Sequence, residues 1–259
     1  MNELRRRVAA FGIALLLLAP ACAGQAGESG DLEAGQRSLI VLAAASLTGV
    51  FESIEEQFTL LHQRISTKLS FESSATLVAQ VQQGIEADVI ATADQETMAQ
   101  LGSAGLLDEP PQVFALNELA IIVEPGNPLN VQGLPDLARE ALKVVLSAEE
   151  VPAGKYARQA LDAANVEVEP VSLEEDVKAV VSKVSLGEAD AGIVYVTDAM
   201  AAGSAVSAVP IPREQNVVAR YPIAVLDEAP NERLAEDFVA LVLSEDGRRV
   251  LTEAGFSLP

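Results

Sequence analysis

Residues 41–50 read VLAAASLTGV. The apolar run ends in small residues and then Ser46, and a helical pattern starts at once. Leu47, Val50, Phe51, Ile54 and Phe58 fall on one face at i, i+3, i+4, i+7 and i+11. Ser46 therefore marks the place where a buried strand hands over to a helix. Such a corner offers backbone N–H groups that no helical carbonyl can satisfy, together with the positive end of the helix dipole. A serine adds a hydroxyl donor, and the combination can hold an anion without any cationic side chain. FESSATL at 71–77 repeats the device, placing Ser73 and Ser74 between a second strand and a second helix. Two such corners in one stretch of chain point to an oxyanion receptor.

Strand and helix patterns alternate along the rest of the chain. Strands are expected at Leu39–Ala44, Thr67–Phe71, Val89–Ala93, Leu119–Val123, Lys143–Ser147 and Ala191–Tyr195. Helices are expected at 47–62, 75–83, from the N-cap Asp94 to about Ala104, at Lys155–Ala164 and at Leu173–Leu186. Val217–Leu226 reads as extended, Asn231–Leu243 as a helix, with a last short helix from about Glu245. Strands separated by helices imply mostly parallel sheets covered on both faces. The array divides into two α/β units, the first ending near Val113 and the second near Val217. The C-terminal helices need a sheet to cover and are expected to return to the first, smaller unit. Two extended crossovers, near 114–119 and 218–224, would then join two lobes. Ligands of open parallel sheets bind beyond the carboxyl ends of the strands, which places the site in the cleft. The expected division is lobe 1 at 38–115 and 222–259, and lobe 2 at 116–221.

Charge narrows the function. The 259 residues carry a formal net charge of −21, which disfavours nucleic acid as a partner, because phosphate contacts need clustered Lys and Arg. For an anionic ligand the field of the whole chain is repulsive, so local donors must do the binding. The N-terminus is a targeting segment: Arg5, Arg6 and Arg7 are followed by the apolar stretch Phe11–Leu18 and the small residues Ala19–Ala21. Next comes Cys22, the only cysteine. A signal peptide over 1–21 that ends at a lone cysteine resembles a bacterial lipoprotein signal, in which Cys22 would become the lipidated first residue and anchor the protein to the membrane. Removing residues 1–21 takes away three arginines and one glutamate, a net +2, leaving the mature chain near −23. Residues 22–37 are small and polar and read as a flexible tether.

The second lobe offers its own candidates. In VPAG at 151–154, Pro152 presets a helix start, and Ala153–Gly154 leaves it uncrowded. EEDV at 174–177 places acids at a helix start, with the amide of Val177 as a donor. GIVY at 192–195 ends a buried strand in Tyr195, whose hydroxyl would reach the cleft. Signs of catalysis are thin. The single histidine, His62, lies on the polar side of the first helix, and no GxSxG elbow, P-loop or GxGxxG occurs.

Five blocks carry a resemblance: AAASLT (43–48), FESSATLVAQVQQGIEADVIATAD (71–94), VPAGKYARQAL (151–161), EEDVKAVVSKVSLGEADAGIVYVTDA (174–199) and YPIAV (221–225). In this order, and over essentially all of 38–259, the chain resembles the molybdate-binding proteins that serve bacterial ABC importers. The resemblance implies a type II periplasmic-binding-protein fold, with two lobes, two crossover strands and an interlobe site for molybdate or tungstate, and no cofactor. It also implies the ligand set. Ser46 and Ser74 would each supply a hydroxyl and an amide, Ala153 and Val177 their amides, and Tyr195 its phenol. Ser74 rather than Ser73 follows from alignment of the motif. Lys155 and Lys178 adjoin two of these amides, yet neighbouring side chains on a helix diverge by about 100°, so neither is expected on the anion. The chain departs from the family in Leu146–Ala148, where a Gly-Asp-Pro run is common, and at Val196. Molybdate at neutral pH is an unprotonated dianion and needs donors only, whereas phosphate carries a proton and would want a carboxylate.

The resulting expectation is a monomeric solute-binding lipoprotein that hands molybdate to an importer permease. The alternatives are a receptor for sulfate or another tetrahedral oxyanion, a secreted hydrolase with Ser46 as nucleophile, and a ligand-sensing regulator domain. The hydrolase needs a base, and His62 is about 24 Å along the helix from Ser46. The targeting segment and the absence of a DNA-binding helix pattern weigh against the regulator. Mass spectrometry of the mature protein tests the anchor. A multiply acylated N-terminal Cys22 is expected, since one chain holds only weakly, and Cys22→Ala should release the protein from the membrane. An unmodified mature chain starting elsewhere would contradict it.

Overall fold

The apolar run ahead of Ser46 forms β1 (Ser38–Ala44), and a single 3-10 turn at Ala45–Leu47 carries it into α1 (Thr48–Leu61). Leu47, Val50, Phe51, Ile54 and Phe58 are all buried. The computed structural model describes residues 38–259. The expected signal peptide (1–21), Cys22 and the tether (22–37) lie outside the described residues. The chain continues through β2 (Ser66–Glu72), α2 (Ser74–Gln82), β3 (Val89–Ala91), α3 (Gln95–Ser103), β4 (Gln112–Asn117) and β5 (Leu119–Val123). Then follow β6 (Val144–Ser147), α4 (Pro152–Ala163), β7 (Ser172–Glu174), α5 (Val177–Ser185), β8 (Ala191–Tyr195), α6 (Val196–Ala202) and β9 (Ser207–Pro210). The last elements are β10 (Ala219–Val225), α7 (Glu232–Leu243) and α8 (Glu245–Glu253).

Two five-stranded sheets result, ordered β2-β1-β3-β10-β4 and β7-β6-β8-β5-β9. They share one plan: three parallel strands, then one antiparallel strand, then an edge strand. The antiparallel strand of each sheet is the one reached from the other sheet. The chain leaves the first sheet at Asn117 and enters the second as β5; it leaves β9 and returns as β10. The expected lobe division, at 115/116 and 221/222, falls inside β4 and β10. Arrival from the far side fixes the direction of β5 and β10, so the sheets are mixed, not mostly parallel as expected.

A carboxylate just ahead of the third parallel strand ties each sheet together. Asp88 accepts the amides of Ile40 and Asn231, both at 2.7 Å, binding β1, β3 and the start of α7. Asp190 accepts the Lys143 amide at 2.7 Å ahead of β8. The C-terminal helices pack against α1 and the first sheet. There Phe238 meets Phe51 and Phe58 edge-on at 5.8 and 5.4 Å, an arrangement worth about 0.5–1.5 kcal/mol per pair beyond area burial.

Two local expectations are corrected. Leu173–Leu186 is not one helix: Ser172–Glu174 pairs with β6, and Asp176 then caps α5 by accepting the Ala179 amide at 2.9 Å. Helix α4 begins at Pro152 rather than Lys155, since proline is tolerated in the first turn. The stretch after Tyr195 carries α6 and β9, for which no expectation was formed.

Candidate oxyanion site between the sheets

Ser46, Ser74, Ala153, Val177 and Tyr195 line one cavity between the two sheets. Each stands where a strand hands over to a helix, and each is held by a different local device. Ser46 sits in the 3-10 turn after β1, with its hydroxyl 3.0 Å from Tyr221 Oη. At the second corner the two serines divide the work. Ser73 is the N-cap of α2 and accepts the Thr76 amide at 3.1 Å. Ser74 Oγ accepts the Ala93 amide at 2.9 Å, which leaves the Ser74 hydrogen free for the cavity.

In the second lobe, Pro152 and Ala153 open α4 against the end of β6. A Cβ at Gly154 would overlap the carbonyl oxygens of Ser147 and Ala148, so only glycine lets this helix start press so close. Val177 is the first residue of α5, and the capping carboxylate of Asp176 is turned to its own helix. The first N–H groups of these helices have no helical acceptor. The first backbone bonds of α2 and α4 come later, at Leu77 to Ser73 and Lys155 to Val151. Tyr195 ends β8, is 1% exposed, and its hydroxyl has no hydrogen-bond partner. Burial pushes this phenol well above its usual pKa, with smaller contributions from Tyr221, Tyr156, Asp198 and Asp94. It is therefore a protonated donor at any physiological pH.

Among the described residues, no lysine or arginine lines the cavity. The two lysines beside the donor amides are engaged elsewhere. Lys178 Nζ is 3.0 Å from Asp198 Oδ1. The Asp198 carboxyl is raised by burial, and Lys178 opposes that shift. Lys155 Nζ lies 2.9 Å from both Asp94 Oδ2 and Glu96 Oε2. Burial lowers the Lys155 pKa, but the hydrogen bonds and charges of Asp94 and Glu96 outweigh it, so the ammonium is held above its usual value. This pair crosses the cleft, from α4 in the second lobe to the start of α3 in the first. The space inside is small, about 10 Å³ for the centre of a water-sized sphere, so it suits one compact group and no sugar or peptide. His62 caps the far end of α1, stacked on Phe58 at 4.2 Å, and does not line the cavity.

Sequence reasoning missed the residues behind the donors. Tyr221, Asn117 and Thr197 form a buried polar chain, and Asp94 with Lys155 forms the cleft pair. Tyr221 carried one signal: a tyrosine inside an otherwise apolar extended run must find a partner for its hydroxyl.

Residues 39–257 match the family model described as bacterial extracellular solute-binding protein. The chain is 41% identical over 225 residues to the molybdate-binding protein ModA of Mycobacterium tuberculosis, covering 87% of this chain and 86% of that protein. Among solved structures, the periplasmic molybdate-binding protein of Azotobacter vinelandii superposes with a TM-score of 0.74 at 20% identity, covering 85% of this chain and 99% of that one. The sulfate-binding protein SubI of M. tuberculosis gives 0.75 at 20% identity, covering 86% and 87%. At that identity the two structures speak for the fold alone.

The cross-cleft pair generates a prediction. Lys155→Met leaves Asp94 buried and unpaired only while the cleft is closed, a penalty that opening relieves. Small-angle scattering should show a larger radius of gyration for the unliganded variant, and oxyanion affinity should fall ~5-fold or more as the closed fraction drops. Unchanged scattering and affinity would remove any role in closure.

Proposed function

The chain belongs to the bacterial extracellular solute-binding protein family, and we propose that it captures molybdate or tungstate and delivers it to an ABC-type importer. It is a binding component and not an enzyme. The observation that carries the reading is the donor set: hydroxyls and helix starts line one small cavity with no lysine or arginine among the described residues, and the one carboxylate at its wall, Asp176, caps its own helix. A dianion without a proton can use every one of these groups. Ser46 and Ser74 supply hydroxyls and amides, Ala153 and Val177 amides, and Tyr195 its phenol. Each charge-assisted hydrogen bond is worth roughly 1.5–3 kcal/mol net. The 41% identity with a protein named for molybdate supports that anion over sulfate.

Ser46 and Ser74 belong to lobe 1 (38–115 and 222–259), and Ala153, Val177 and Tyr195 to lobe 2 (116–221). The anion therefore bridges the lobes and favours the state in which both donor sets engage it. Strands β4 and β10, the two connections, serve as hinges. The protein acts as a monomer held at the membrane by lipidated Cys22, and closure presents the loaded form to the permease.

Calorimetric titration with molybdate, tungstate and sulfate tests this. Molybdate and tungstate should bind and sulfate should bind far more weakly. Ser46→Ala, Ser74→Ala and Tyr195→Phe should each weaken molybdate binding ~10- to 100-fold, and His62→Ala should leave it unchanged. Wild-type affinity in all three donor variants would place the site elsewhere, and a preference for sulfate would reassign the ligand.

A further inference from the structure

Tyr221 is completely buried in β10, at the point where the pairing with β4 slips between Tyr221 and Pro222. Its ring is wedged edge-on by Phe256 at 5.4 Å, Tyr195 at 5.7 Å and Phe114 at 6.4 Å. Its hydroxyl has two hydrogen-bond neighbours, Ser46 Oγ at 3.0 Å and Asn117 Nδ2 at 3.5 Å. Tyr195 packs against the ring, but its hydroxyl makes no bond there.

The orientation of Asn117 settles the direction of these bonds. Asn117 Oδ1 accepts the amide of Glu118 at 3.0 Å, so the NH2 end must face Thr197 Oγ1, at 2.8 Å, and Tyr221. An amide NH2 donates and cannot accept. Of these two neighbours, only Ser46 Oγ can accept the buried phenol proton. Burial, with Asp198 next, raises the Tyr221 pKa far above its usual value, so that proton stays on the phenol. Once Ser46 Oγ accepts from Tyr221, the serine's own hydrogen is left for the cavity. Ser74 reaches the same condition by another route, because the Ala93 amide at 2.9 Å can only donate to it.

We propose that Tyr221 is a positioning residue that holds Ser46 as a donor: it donates to the serine oxygen from behind and aims the serine hydrogen at the bound oxyanion. The proposal rests on the reading of Ser46 as an oxyanion ligand. With both serines held in this way, each presents its hydrogen to the cavity. The orientation of Ser46 therefore depends on a tyrosine that does not itself line the cavity.

A double-mutant cycle tests this, with wild type, Ser46→Ala, Tyr221→Phe and the double variant each titrated with molybdate and, in parallel, sulfate. Melting temperatures of the unliganded proteins confirm that all four fold. Tyr221→Phe should weaken molybdate binding ~5- to 20-fold by freeing Ser46 to turn away. In the Ser46→Ala background the same change should cost no more than ~2-fold, since its effect runs through the serine. Losses that multiply in the double variant, or wild-type affinity in Tyr221→Phe, would overturn the proposal. A wild type that binds neither anion would overturn the functional reading first, and the inference with it.

Discussion

For a dianion inside a chain of net charge −21, the local groups must turn donors toward it. The cavity aligns its donors by engaging the oxygens behind them. Ser74 Oγ accepts the Ala93 amide, and Ser46 Oγ lies 3.0 Å from the Tyr221 phenol. Asp176 Oδ1 accepts the Ala179 amide. Asp94 and Asp198, both buried, are turned to Lys155 and Lys178. The cations neutralise neighbouring carboxylates and leave the anion to neutral groups. Inside a low-dielectric site such groups act more strongly than they would in water, and none of them has to give up or gain a proton.

The fold exists to bring those groups together. Helix starts are donors, and in open sheets they gather beyond the carboxyl ends of the parallel strands. One sheet supplies half a shell. The strand exchange between the two sheets, β5 in one direction and β10 in the other, sets the two ends face to face. It also places the connecting strands against the site. Asn117 ends the outgoing strand, Tyr221 lies in the returning one, and Thr197 opens the helix after Tyr195. The hydrogen bonds from Thr197 through Asn117 and Tyr221 to Ser46 thus run from one lobe to the other through the two connections.

What could be read in the sequence was local. The corners at Ser46, Ser73–Ser74, Pro152–Ala153 and Tyr195 announce themselves because a strand period changes to a helix period within a few residues. The split at Glu174–Val177 stayed hidden, since Leu173, Val177 and Val180 fit a helical spacing even though Ser172–Glu174 pairs as a strand. The direction of β5 and β10 was equally invisible. β5 is apolar on both faces and β10 is apolar after Arg220, and an apolar run carries no sign of which way its neighbours point. The groups behind the donors depend on contacts between residues 175, 104 and 80 positions apart, and no local period reports those. Ser73 and Ser74 fall between the two cases: the motif marks the corner and its alignment favours Ser74, while the contact of Ser74 Oγ with the Ala93 amide lies 19 positions along the chain.

An unprotonated dianion held by groups that stay protonated throughout exchanges no proton with solvent on binding. Calorimetric titration with molybdate at neutral pH, in two buffers of different ionisation enthalpy, counts the protons exchanged. None is expected, so the binding enthalpy should be the same in both buffers. Uptake or release of about one proton per anion would show that a titrating group takes part, and would contradict it.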